Sequence, residues 1–291
     1  MDLNEAMSAL QAAQSESCKK TYLRHGAKEP LFGVRTADLT KIQKRIKVDH
    51  SLAHALVTTG NADARILGFL VADPAKLDIA TVEGWLSKAA WPMDTYYLGL
   101  LLSRSTIWLS CMTRWMAQSD EWVQSAGYCL LAQRLKEDPD SISDDLARNT
   151  LKTIAADIGR AKNRARYSMN TALIAIGTYK PTLRDVALAV AERIGPVDVD
   201  HGDTDCKTPV ASEYIRKAGA HADRMALKKQ ATRKSSTDQN AGTARSAQLA
   251  ASTKKAAAPR NAAIAKKPAA AKKPTASSKP TAPRVGRELR A

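Results

Sequence analysis

The chain has no cysteine pair at the Cys-x-x-Cys spacing of a zinc module, and its four cysteines, Cys18, Cys111, Cys129 and Cys206, lie far apart. That scatter excludes a disulfide-dense secreted scaffold and leaves reduced thiols as the expectation. Long hydrophobic runs are also missing: the longest apolar stretch, Tyr96 to Leu102, falls far short of the ~20 residues that cross a bilayer. The opening Met1-Asp2-Leu3-Asn4-Glu5 carries neither the basic flank nor the apolar core of an export signal, so the expected location is cytoplasmic, with no membrane partner. No Gly-rich phosphate loop, Ser-x-x-Lys or His-Glu-x-x-His is present, which removes support for nucleotide hydrolysis, acyl transfer and metalloprotease chemistry. Period-two runs of β-branched residues are nearly absent, which argues against a sheet.

What the chain does have is positive charge, concentrated at one end. From Arg224 onward, 17 Lys and Arg face only Asp238 and Glu288, a net of +15 out of the chain's +16. Residues 1–222 therefore read as a near-neutral folded body and residues 223–291 as a basic tail. The tail has no aromatic residue, and Lys254, Lys255, Lys266, Lys267, Lys272 and Lys273 sit among Ala and Pro. Such a segment buries too little apolar surface to offset chain entropy, so disorder is expected. Its composition is similar to the Lys/Ala/Pro tails of linker histones and some bacterial nucleoid proteins. A strand of this charge density binds nucleic acid phosphates without regard to sequence and releases counterions as it does so. Non-specific contacts to the DNA backbone, and hence nucleoid association, are the expectation for it.

The body reads as helix after helix. Leu39, Ile42 and Ile46 make one apolar face, and Ile66, Leu67, Leu70 and Val71 another. Further helices are predicted for Tyr96 to Ser103, Thr106 to Met116, Glu121 to Leu135, Ile142 to Ile158, Tyr167 to Ile176, Leu183 to Ile194 and Pro209 to Ala218. Three segments, Asn61 to Pro74, Asp120 to Pro139 and Lys162 to Pro181, each begin polar, run through a helix and stop at a proline. Loose repetition of this kind suits degenerate helix pairs that bury one another's faces, so an all-α, HEAT-like solenoid is the expected fold. A compact irregular bundle is the alternative.

Particular strings sharpen this: His25-Gly26-Ala27, then Leu31-Phe32-Gly33-Val34-Arg35-Thr36-Ala37-Asp38-Leu39, then Asp63-Ala64-Arg65-Ile66-Leu67-Gly68. They resemble the opening of the DNA alkylation repair family, the HEAT-like-repeat proteins that include AlkD-type DNA glycosylases. The likeness runs over roughly residues 15 to 220, and Val199 to Pro209 resembles a C-terminal stretch of one subgroup. The resemblance implies excision of N3- and N7-alkylated purines, duplex DNA held on a concave basic surface, and no metal or organic cofactor. An alkylated purine leaves readily, so the chemistry needs a carboxylate beside aromatic faces to stabilise the sugar cation. The resemblance assigns that carboxylate to Asp94, with Trp91 shaping its surroundings.

The match is incomplete. Trp91 precedes Asp94 by three positions where the family has four, and Pro92 alters the start of the helix. Where the family places a phosphate-binding Arg after a Trp, this chain has Trp122 followed by Gln124 and Ser125. No Trp stands near Met169 to Thr171, where the family has another; Tyr167 is the nearby aromatic. Arg35, Arg160, Lys162, Arg164 and Arg166 are the candidates for replacement phosphate contacts, against the plain reading of a solvated helix face. Asp94 has its own plain reading, a carboxylate at a helix N-terminus. His201, Asp203, Asp205 and Cys206 crowd around Gly202, but their spacing fits no zinc or calcium pattern, and a turn before a helix explains them. His25 and His54 read as structural histidines. Three functions remain open: alkylpurine excision from duplex DNA, a non-catalytic DNA- or protein-binding module tethered by its tail, and a protein-interaction scaffold that uses RNA or ribosome contacts through the tail.

Overall fold

A computed structural model describes residues 1–221 together with Arg224 and Met225. The tail candidates Lys254, Lys255, Lys266, Lys267, Lys272 and Lys273 lie outside the described residues, as does the expected disorder of all of 223–291 but Arg224 and Met225. No helix among the described residues is long and apolar enough to cross a membrane.

The regular elements among the described residues are helices: α1 (Leu3–Ala12), α2 (Glu16–Arg24), α3 (Thr36–Ile46), α4 (His50–Thr58), α5 (Ala62–Val71), α6 (Ile79–Leu86) and α7 (Pro92–Leu102). Then follow α8 (Trp108–Met116), α9 (Glu121–Glu137), α10 (Asp144–Asp157), α11 (Asn163–Tyr179), α12 (Arg184–Ile194) and α13 (residues 211–221). Side chains start many of them. Asp2, Ser15, Asp49, Asn61, Asp78, Asp120 and Ser143 each accept a backbone N–H of the first turn, which satisfies donors the helix itself cannot.

The three repeated segments are real units. Asn61, Asp120 and Lys162 are the N-caps of α5, α9 and α11, and short 3-10 turns begin at Pro74, Pro139 and Pro181 after each. These helices and α7 form one continuous row, with α5 against α7, α7 against α9, and α9 against α11. A second set flanks the row: α4 packs on α5, α6 on α7, α8 on α9, and α10 and α12 on α11. This pairing is the HEAT-like arrangement.

Row helices lie between neighbours, so α7 and α9 bury residues around most of their circumference rather than on one stripe. Glycines let them come close. A Cβ on Gly68 would meet Val57 at 2.9 Å, one on Gly127 would meet Met116 at 2.6 Å, and one on Gly177 would meet Ile215 at 2.8 Å. Cations fasten the turns between units: Arg134 donates to the Ser103 carbonyl at 2.9 Å, and the buried Lys180 donates to the Ile142 carbonyl at 2.9 Å. Free carbonyls at helix ends are thereby satisfied by the next unit along the stack.

Candidate nucleic-acid interface

α5 carries two charged side chains in an otherwise apolar helix, and both are buried. The Asp63 carboxylate accepts the backbone N–H groups of Phe32, Gly33 and Val34 at 2.6, 2.9 and 2.9 Å. Three successive amides converging on one anion form a nest. Gly33 permits it with φ +75°, and a Cβ there would lie 2.4 Å from the Lys19 backbone nitrogen of α2.

Arg65, 6% exposed, reaches the start of α7. Its Nε donates to Asp94 Oδ1 at 2.8 Å and its Nη2 to Oδ2 at 3.1 Å, a two-point pairing. The Ala90 N–H also donates to Oδ2, at 2.9 Å. Asp94 is 1% exposed. Burial pushes its carboxyl above the usual aspartate value, opposed by Arg65 and by the Ala90 amide. Trp91, the N-cap of α7, is 3% exposed, and its ring centre lies 4.9 Å from that of Tyr22. Both candidate catalytic residues thus sit in the packing between α2, α5 and α7.

Beyond them a cleft of about 270 Å³ opens among α7, α9 and α11, lined by Met93, Tyr96, Cys129, Gln133, Arg164 and Tyr167 among others. Tyr96 is 41% exposed there. Burial raises the Tyr167 phenol and the Cys129 thiol above their ordinary values, so both are neutral at physiological pH. At the position where the resemblance expects an arginine, Gln124 Nε2 donates to the Met116 carbonyl at 3.3 Å. Beside it the hydroxyls of Ser125 and Ser168 lie 2.7 Å apart, joining α9 to α11.

The basic candidates are divided by the fold. Arg160 and Lys162 line a second cleft, of about 330 Å³, together with Gln124 at the N-terminal ends of α9 and α11. Arg160 is exposed and pairs with Asp157. Arg164 lines the α7–α9–α11 cleft, yet its Nη2 donates to the Asp200 carbonyl at 2.8 Å. Arg166 is turned inward, donating to the carbonyls of Ala161 and Asp198. Arg35 is exposed at the N-cap of α3, at the opposite end of the row from α11.

Residues 198–206 form a strap from α11 back to α2. Asn163 and Asp200 exchange two hydrogen bonds, of 2.7 and 2.8 Å. The His201 ring meets the Tyr167 ring edge-on at 5.5 Å, and Asp203 approaches Arg24 at 3.8 Å. Cys206 Sγ lies 4.0 Å from His25 Nε2. Of the crowded residues around Gly202, His201, Asp203 and Cys206 thus meet different partners, and all four thiols of the chain are free.

Sequence reasoning missed Arg65 as the partner of Asp94. A charged residue inside the apolar run Ala62–Val71 was the available signal, because a buried arginine needs an acid.

The profile of the DNA alkylation repair enzyme family matches residues 6–228. Uncharacterized proteins of Listeria innocua and Listeria monocytogenes are each 30% identical over 215 residues, spanning 72% of this chain and 93% of theirs. One solved structure, described as "a new family of proteins related to the HEAT-like repeat DNA glycosylases with affinity for branched DNA structures", superposes with a TM-score of 0.70. It is 30% identical and covers 75% of this chain and 93% of its own. The body is thus a HEAT-like helical-repeat protein, and the chain belongs to the DNA alkylation repair family.

Proposed function

We propose that this protein binds DNA as a shape-reading module and does not excise bases. The observation that carries the reading is the state of the Asp94 carboxylate. A carboxylate that stabilises a sugar cation must present an oxygen to it, whereas both oxygens of Asp94 are held by Arg65 and the side chain is 1% exposed. The loss of the family's arginine at Gln124 and of its later tryptophan near Met169 points the same way.

DNA remains the partner. Arg160 and Lys162 provide cations at the N-terminal edge of α9 and α11, beside the position the missing arginine would occupy. Phosphate contacts of this kind position a duplex without reading its sequence. The solved relative is described as having affinity for branched DNA, and we carry that preference to this chain. Its basic residues 224–291 add backbone contacts, which lengthen residence on DNA and keep the protein at the nucleoid.

Binding of labelled four-way junction, fork and linear duplex of matched sequence tests the reading. The expected result is tighter binding to the branched forms and a loss in the joint variant Arg160→Glu, Lys162→Glu. Equal affinity for all forms, unaltered in that variant, would overturn it.

A further inference from the structure

α13 has two faces. Ala211, Ile215 and Gly219 are buried, and Ile215 fits against Gly177, where α11 leaves no room for a side chain. On the other face Tyr214, Lys217, Ala218 and His221 recur at three- and four-residue spacing and, with Arg224 further along the chain and Thr178 and Tyr179 at the end of α11, line a groove of about 480 Å³. Tyr214 is 51% exposed, and Tyr179 is half-buried at the opposite wall. Among the described residues no carboxylate lines the groove. This surface belongs neither to the α7–α9–α11 cleft nor to the Arg160–Lys162 edge.

We propose that the groove is a binding site for single-stranded nucleic acid, with an unpaired base stacked on Tyr214 against the Tyr179 wall and with Lys217 and Arg224 on the adjoining phosphates. Three observations choose this occupant. Aromatic rings interleaved with cations at helical spacing form a stacking platform on an electrostatic track, the combination that holds single strands without sequence preference. A base paired inside a duplex has both faces covered by its neighbours, so an exposed tyrosine in a groove accepts an unpaired base and rejects a paired one. Finally, Arg224 opens a stretch of sequence whose net charge is +15, a charge that favours a polyanion as the partner. An acidic peptide would satisfy the cations but would leave the two phenol rings without a flat partner.

The test uses the full chain, a short single-stranded oligonucleotide of mixed sequence carrying 5-bromodeoxyuridine, and a blunt duplex of the same sequence. Irradiation should cross-link the single strand to Tyr214. Tyr214→Ala should weaken single-strand binding about tenfold, the scale of one lost base stack, with duplex affinity unchanged. Tyr214→Phe, which keeps the ring, should bind like the parent. An equal loss toward single strand and duplex would reduce the groove to a general basic surface and overturn the proposal. So would a Phe variant as weak as the Ala variant. Unchanged single-strand affinity with no cross-link at Tyr214 would also overturn it, leaving a protein as the occupant. Because duplex and single strand are measured together, a protein that binds neither overturns the DNA-binding reading as well, whereas normal duplex binding without dependence on Tyr214 overturns the groove alone.

Discussion

Asp63 and Arg65, two positions apart on α5, face opposite ways: Asp63 holds the amides of residues 32–34 and Arg65 holds the Asp94 carboxylate at the head of α7. One helix thus fixes both the entry to α3 and the start of α7. Removing either member of the Arg65–Asp94 pair leaves the other charged and buried, which costs about 3–5 kcal/mol. Urea unfolding of Asp94→Ala and Arg65→Ala should each show a loss of this size. The joint variant Arg65→Met, Asp94→Leu should recover much of it, because apolar groups of similar volume restore packing without desolvated charge.

Gly202 brings the strap against the end of α2. It has φ +73°, and a Cβ there would lie 2.3 Å from the Arg24 carbonyl oxygen. Gly202→Ala should lift the strap off α2. Hydrogen exchange at residues 200–206 should then speed up, with little change in the exchange of the core helices, because the strap opens as a local unit.

His50 and His54 lie one turn apart on α4, with Nε2 atoms 3.3 Å from each other and both rings near Trp85. Burial, and secondarily the charge on His54, lower the His50 value below that of a free imidazole. A base whose folded value is depressed adds stability above its unfolded value, and that contribution is lost as pH falls through the folded value. Denaturant midpoints should therefore fall as pH drops below about 6.5, and His50→Gln should flatten that fall.

Salt separates the two sources of DNA affinity. Each phosphate neutralised adds about 0.9 to the slope of log affinity against log salt. Lys162→Ala should lower the slope by roughly that amount. Truncation after Met225 removes most of the net +15 carried by residues 224–291, so it should weaken binding and lower the slope several times further, while the preference for branched over linear DNA remains.

Much of the fold was legible because the row helices carry strong local signals. Asn61, Asp120 and Lys162 mark starts and Pro74, Pro139 and Pro181 mark stops, and the structure uses each of them so. α2 was harder, since it buries no residue fully. The sequence pattern starts α7 only at Tyr96, because Pro92 reads as a breaker although it suits the first position of a helix. The candidate site was less legible than the fold. Asp94 could be found by its motif, but its exposure depends on a side chain 29 positions earlier, and no local pattern encodes that pairing. Likewise the strap's hold on Arg164 and Arg166 is made by the carbonyls of Asp200 and Asp198, groups whose placement side-chain identity does not reveal.

The most direct test of the account is release of methylated base from duplex DNA carrying N3- and N7-methylpurines, measured on wild-type protein and Asp94→Asn under conditions where DNA binding is shown in the same samples. The account predicts bound DNA and no release above background from either protein. Release by the wild type that disappears in a folded, DNA-binding Asp94→Asn variant would contradict it, and would mean that Arg65 lets go of Asp94 when DNA is bound.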